Sequence, residues 1–180
     1  MKYSQKDWSI VDLLSHSRHD WMNKLQLIKG NLSLNKYERV HKIMEEIVIE
    51  AQHESMLSHL NMPEFSCLLM TFNWQPHNFS LEYEVIGKTL DLSDYDQTVT
   101  AWCLSFLMTL NDSVEKGAEN HLILSIGTSN EKDQIRLFFD FNGTITDKKS
   151  LEGFFVETKS AEVSNPLIHD QELSAMVHFK

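Results

Sequence analysis

Residues 11–32 read VDLLSHSRHDWMNKLQLIKGNL, and within them Val11, Leu14, Trp21, Leu25, Ile28 and Leu32 recur at alternating steps of three and four. Arg18 fills the one place in the series that lacks an apolar side chain. Apolar residues repeating in this way line one face of an α-helix, and the heptad-like spacing is that of a helix packed in a bundle. The stripe runs for about 25 residues, or about 38 Å of helix. It stops at Gly30-Asn31-Leu32-Ser33-Leu34-Asn35, a cluster of turn and cap formers. A second helical pattern follows, with Tyr37, Val40, Met44, Ile47 and Ala51 in register and Ile43 and Val48 widening the face. It fades after Ala51 and ends before Pro63. Two long helices joined by a short turn lie antiparallel, and one such hairpin buries its stripe incompletely. Pairing with a second copy across a two-fold axis completes a four-helix bundle, so the sequence predicts a homodimer.

The rest of the 180-residue chain has a different character. Residues 1–60 hold eight Lys/Arg and eight Asp/Glu, whereas residues 61–180 hold eight and eighteen, so the whole net charge of −10 lies in the second part. That balance disfavours nonspecific contact with nucleic acid or anionic lipid. From about Phe65 the pattern is mixed α and β. Leu81–Ile86 alternates like a strand, and Asp91–Lys116 reads as a helix entered at Asp91 or Ser93 and ended by Gly117. His121–Ile126 and Gln134–Phe141 read as strands joined by a turn at 130–133, and Leu173–Phe179 as a last strand closing the sheet. Lys148–Phe155 suggests a short helix in a stretch, Thr144–Asp170, that is otherwise unassigned. The expected fold class is therefore α+β, with a helical hairpin over 1–62 and an α/β domain over 63–180.

No apolar run is long enough to span a bilayer, and the first residues lead into no apolar segment, so neither a membrane span nor a signal peptide is expected. Cys67 and Cys103 sit in apolar surroundings without metal-ligand spacing and read as reduced core residues of a cytoplasmic protein. His16 and His19 lie three apart like a metal pair, but no second matched pair accompanies them, so no metal site is expected.

The densest polar constellation interrupts the first helix, at Ser15-His16-Ser17-Arg18-His19-Asp20-Trp21-Met22-Asn23-Lys24. His19 and Asn23 are i, i+4 neighbours on a helix, with Ser15 one turn the other way. His19 follows the seam position Arg18 by one residue, so it flanks the seam and faces water. A neutral imidazole presented without cover on a rigid helix is what a phosphoryl acceptor requires. Arg18 and Lys24 can offset phosphate charge, and Asp20 can orient the ring or accept its proton. Asn23 and Gln26, one and two turns along, are candidates for contact with a partner's active site. Each residue also has a plainer reading: His19 as a solvated surface histidine, Arg18 as a polar residue that fixes bundle register.

The combination is more specific than its parts. The stretch from His16 to Leu34 resembles the phosphoacceptor helix of two-component systems, in the variant R-H-D/E-x-x-N-K/H-L with a tail ending in G-x-L. More closely, it is similar to the sporulation initiation phosphotransferases of spore-forming bacilli, the B component of the sporulation phosphorelay and relatives of two-component histidine kinases. The likeness continues through Tyr37-Glu38-Arg39-Val40, Glu45-Glu46-Ile47-Val48-Ile49, His53-Glu54-Ser55, Thr71-Phe72-Asn73-Trp74, Leu81-Glu82-Tyr83-Glu84-Val85, Ser93-Asp94-Tyr95-Asp96-Gln97 and Glu119-Asn120-His121-Leu122. The resemblance implies a dimer with a shared four-helix bundle and a C-terminal domain related to histidine-kinase ATPase domains. It implies that a single-domain response regulator donates a phosphoryl group to His19, which passes it to the receiver domain of the sporulation transcription factor. His16 matches the preceding family histidine and is not the acceptor. Mg2+ is expected from the partner receiver domain, and none from this chain.

The same resemblance raises the alternative of an ATP-dependent sensor histidine kinase core. Leu104–Gly117 resembles the kinase N-box, with Asn111 in the place of the asparagine that helps hold magnesium and nucleotide. The next nucleotide element, D-x-G-x-G, meets only Asp140-Phe141-Asn142-Gly143-Thr144-Ile145, and after Gly143 only Gly153 remains. Backbone that approaches phosphates closely needs such glycines. The domain is thus expected to be a degenerate ATPase fold that binds no ATP.

Overall fold

The computed structural model describes residues 9–88, 90–129 and 134–179. The turn expected at 130–133 lies outside the described residues. The chain divides into two compact units between Glu50 and Ala51.

The first unit is built on α1 (Ile10–Ser33) and the start of α2 (Tyr37–Ser58). Helix α1 opens with a capping box. The Ser9 hydroxyl accepts from the Asp12 N–H at 3.1 Å, and the Asp12 carboxylate accepts from the Ser9 N–H at 3.2 Å. The helix runs through Gly30 to Ser33 and turns at Leu34 and Asn35, within the cluster of turn and cap formers where the sequence predicted its end. There Asn35 adopts φ 55°, and the Lys36 N–H reaches back to the Asn31 carbonyl at 2.9 Å. Lys24 Nζ on α1 meets Glu50 Oε2 on α2 at 2.5 Å, an ion pair that joins the two helices.

The half-buried positions of α1 are Leu13, His16, Asp20, Lys24, Ile28 and Asn31, whereas Leu14, Trp21, Leu25 and Leu32 of the predicted stripe are exposed, Leu25 by 53%. On α2, Val40 and Ile43 are buried while Tyr37, Met44 and Val48 are exposed. Each helix therefore has an occupied face and an open apolar one.

The second unit carries a five-stranded sheet in the order β1-β2-β3-β5-β4, with β1 (Ser80–Ile86) parallel to β2 (His121–Ser129). The other pairs, through β3 (Gln134–Asn142), β4 (Glu162–Ile168) and β5 (Glu172–Phe179), are antiparallel. Helices α3 (Pro63–Thr71), α4 (Asp96–Ser113) and α5 (Lys148–Glu157) share one core with the sheet. Along β3, Ile135, Leu137, Phe139 and Phe141 turn inward while Arg136, Phe138, Asp140 and Asn142 are exposed, the period-two alternation of a half-covered sheet. Aromatic packing consolidates the core: Phe106 of α4 lies 4.6 Å from Phe139 and 5.6 Å from Trp102, centroid to centroid. Among the described residues no helix is long and apolar enough to cross a membrane.

Several expectations need correction. Helix α4 begins at Asp96 rather than Asp91, because Asp91 accepts from the Ser93 N–H at 3.1 Å and starts a separate 3-10 turn, Ser93–Tyr95. It ends at Ser113 rather than Lys116, because Val114 bridges Ile145 and the Ser113 carbonyl is taken by the Thr146 and Asp147 N–H groups. The last strand does not close the sheet: β5 lies between β3 and β4, and β4 is the edge. Strand β4 escapes sequence reading because Pro166 and Asn165 (φ 50°) interrupt it and its register slips between Ser164 and Leu167, all tolerable only at an edge. Cys103 is buried as expected, and burial pushes its thiol well above the usual range, but Cys67 is exposed.

The opposite edge, β1, is closed by side chains. The Asn73 amide accepts from the Leu81 N–H at 3.0 Å and donates to the Leu81 carbonyl at 2.7 Å, and His53 Nδ1 accepts from the Val85 N–H at 3.1 Å.

Candidate functional site

Helix α1 holds the polar constellation in continuous helical register. The His19 side chain is 74% exposed. Both of its polar neighbours converge on a single ring nitrogen: Asn23 Nδ2 lies 3.2 Å from Nδ1, and Asp20 Oδ1 lies 3.7 Å from it. The first contact is the i, i+4 pair that helical spacing prescribes. The ring is therefore tethered on its Nδ1 side, while most of the side chain is open to solvent.

Arg18 and Gln26 are exposed at their own positions on the helix. Lys24 is occupied elsewhere. Its ammonium group pairs with Glu50 and sits 5.7 Å from the centre of the Trp21 ring. The structure thus brings His19, Asp20 and Asn23 together and turns Lys24 toward α2. His16 is half-buried. Among the described residues no group of three or more His, Cys, Asp or Glu is arranged to hold a metal ion.

The candidate nucleotide elements of the second unit are separated and committed. Asn111 Oδ1 accepts from the Asn78 N–H at 2.8 Å, and the Asn78 amide donates to the Asn111 carbonyl at 2.8 Å. Asp140 projects from the exposed face of β3, while α4, which carries Asn111, packs on the other. At Gly143 the space where a Cβ would stand is already taken, with Asn120 Oδ1 2.3 Å from that point. Asn120 is buried and fully engaged. Its amide nitrogen donates to the Asn78 and Glu115 carbonyls, both at 2.8 Å, and its oxygen accepts from the Thr144 N–H at 2.9 Å. The turn at Gly143 is thus packed directly against the Asn120 amide. Sequence reading gave Asn120 no role of this kind, because its partners lie 24 to 42 residues away apart from Glu115.

Two family models match: sensor kinase SpoOB-type, alpha-helical domain, over residues 2–60, and sporulation initiation phospho-transferase B, C-terminal, over residues 61–180. Sporulation initiation phosphotransferase B of Bacillus subtilis (strain 168) is 47% identical over 143 residues, spanning 79% of this chain and 74% of that protein. Among solved structures, the blue-light activated histidine kinase EL346 of Erythrobacter litoralis aligns with a TM-score of 0.43 at 11% identity, over 98% of this chain and 61% of that one. A bacterial phosphotransferase aligns with a TM-score of 0.41 at 11% identity, over 94% of this chain and 97% of that one.

Proposed function

The chain belongs to the sporulation initiation phosphotransferase B family, histidine phosphotransferases of the sporulation phosphorelay, and from that premise we propose that His19 is the phosphoacceptor. The observation that carries the assignment is the ring itself, 74% exposed on an unbroken helix with its polar neighbours on Nδ1. The nucleophile attacks the phosphorus of an aspartyl phosphate held by a single-domain response regulator. The P–O bond to the aspartyl carboxylate breaks, and its electron pair leaves with that carboxylate. The reverse attack, by the aspartate of the sporulation transcription factor's receiver domain, unloads the histidine. Phosphoramidate and acyl phosphate are both energy-rich, so the exchange needs no ATP. The receiver domains supply Mg2+ and their own cation, and this chain supplies position.

Arg18 and Gln26 support docking from the exposed surface of α1. Asp20 and Asn23 act beside the ring, and Lys24 holds α1 on α2 through Glu50. The open apolar faces of α1 and α2 support a homodimer whose hairpins form a four-helix bundle. In this division of labour residues 1–62 dimerise and carry the phosphoryl group, and residues 63–180 form a degenerate ATPase-like domain that takes no cofactor. The Asn120 amide packed at Gly143 and the placement of Asp140 on the exposed face of β3 support that part. The reaction takes place in the cytoplasm, with neither nucleic acid nor membrane as partner.

The test is phosphoryl transfer from a phosphorylated response regulator. Wild-type protein should acquire an acid-labile, base-stable label, and His19→Gln should fold yet acquire none. Normal labelling of that variant removes the assignment. Incubation with labelled ATP alone should leave the wild type unlabelled, whereas a sensor kinase core would label itself.

A further inference from the structure

A neutral imidazole carries one proton, on either Nδ1 or Nε2, and only the nitrogen without it has a lone pair to offer. At His19 the neighbours that can decide the matter both stand at Nδ1. Asp20 Oδ1, at 3.7 Å, favours a proton there. Asn23 places its side-chain amide at 3.2 Å, and a half turn of that amide exchanges the nitrogen donor for the oxygen acceptor. With the nitrogen turned inward, the amide donates to Nδ1, the proton sits on Nε2, and the exposed nitrogen is blunted. With the oxygen turned inward, the amide accepts from Nδ1–H and Nε2 becomes the nucleophile. The carboxylate beside the same ring atom favours the second arrangement.

We propose that Asn23 is a positioning residue for the transfer reaction, holding the His19 proton on Nδ1 through its side-chain oxygen so that Nε2 meets the phosphorus. The inference rests on His19 being the acceptor and gives Asn23 a role on the ring itself. Attack by Nε2 then needs no proton transfer. Nε2 forms the new N–P bond, the carboxylate departs with the electron pair of the broken P–O bond, and the ring becomes an Nδ1-protonated phosphoimidazolium. Asn23 and Asp20 hold the proton that carries its positive charge. In the reverse step the same ring leaves as neutral imidazole, the proton having stayed on Nδ1 throughout. A ring that began with its proton on Nε2 would have to lose it during attack.

The experiment is nitrogen NMR of the intact protein labelled with 15N-histidine, at a pH where the ring is neutral, with His19→Gln identifying the His19 signals. Wild-type His19 should hold its proton on Nδ1. Asn23→Ala should move the population toward Nε2–H and slow phosphoryl acceptance by about 10-fold or more. Asn23→Asp, which keeps an oxygen acceptor and loses the competing donor, should restore both. A wild-type proton on Nε2, an unchanged population in Asn23→Ala, or a shifted population with unchanged acceptance overturns the proposal. The spectrum is recorded without a partner, so a residue that merely touches the response regulator would slow transfer without moving it. Failure of the His19 assignment shows separately, as labelling of His19→Gln.

Discussion

Asp96, the first residue of α4, caps the start of α3: its Oδ1 accepts from the Phe65 N–H at 2.9 Å and its Oδ2 from the Glu64 N–H at 3.0 Å. Helix α3 has no side-chain cap of its own, since Met62 stands at its N-cap and Pro63 follows. The carboxylate is buried and lies where the helix N-terminus presents unsatisfied donors and positive potential. Asp96→Ala leaves those donors buried without an acceptor and should cost about 2–3 kcal/mol. Urea unfolding measures it, and a loss well under 1 kcal/mol would mean that water replaces the carboxylate.

Gly143→Ala should be costly for a different reason. Its Cβ would stand 2.3 Å from Asn120 Oδ1 and 2.8 Å from Phe141 Cζ, inside a buried polar cluster that cannot give way without losing hydrogen bonds. A destabilisation of about 3 kcal/mol is expected. Thermal unfolding beside Gly153→Ala, whose Cβ meets nothing within 4 Å, isolates the effect of the clash.

Leu25 belongs to the open stripe of α1. If two copies join through that stripe, Leu25→Asp buries a carboxylate in the seam and should weaken association by about 100-fold or more. Sedimentation equilibrium reads this directly. A wild-type chain that is monomeric at micromolar concentration would remove the shared bundle.

Asp147 caps α5, accepting from the Ser150 hydroxyl at 2.7 Å and the Ser150 N–H at 3.1 Å, and those bonds hold its carboxyl below the ordinary 3.8. A carboxyl with a lower pKa folded than unfolded contributes stability that is fully present above the unfolded value. That contribution is lost as pH falls through the folded value. Asp147→Asn should therefore flatten the decline in stability on acidification below about pH 4 while leaving a capping side chain in place. Urea midpoints collected across that range test it, and an acid limb parallel to the wild type's would exclude Asp147 as a contributor.

The hairpin and the constellation around His19 were legible because a helix converts spacing into neighbourhood: residues four apart touch, and apolar residues at steps of three and four share a face. What periodicity could not reveal is that α1 has two working faces. The half-buried one carries His16, Asp20 and Lys24, too polar to register as a packing surface. Helix α3 is short, and its apolar residues Phe65, Leu68 and Leu69 merge with the following Phe72 into no pattern long enough to count. Strand β4 was hidden by Pro166, and the bounds of α4 depend on Asp91 and on a bridge from Val114 to Ile145, which local sequence does not signal. The role of Asn120 is likewise non-local, since its contacts with Asn78 and Thr144 exist only once the sheet has formed.

The two borders of the sheet have a consequence for life at high protein concentration. On β1, Asn73 and His53 occupy backbone groups that an added strand would seek, and on β4 the kink and the proline break the row. An incoming polypeptide finds an interrupted ladder on either flank, which opposes fibrous growth by strand recruitment. The open apolar faces of the hairpin present no strand edge, so any association there packs helix on helix and adds no rung to a ladder.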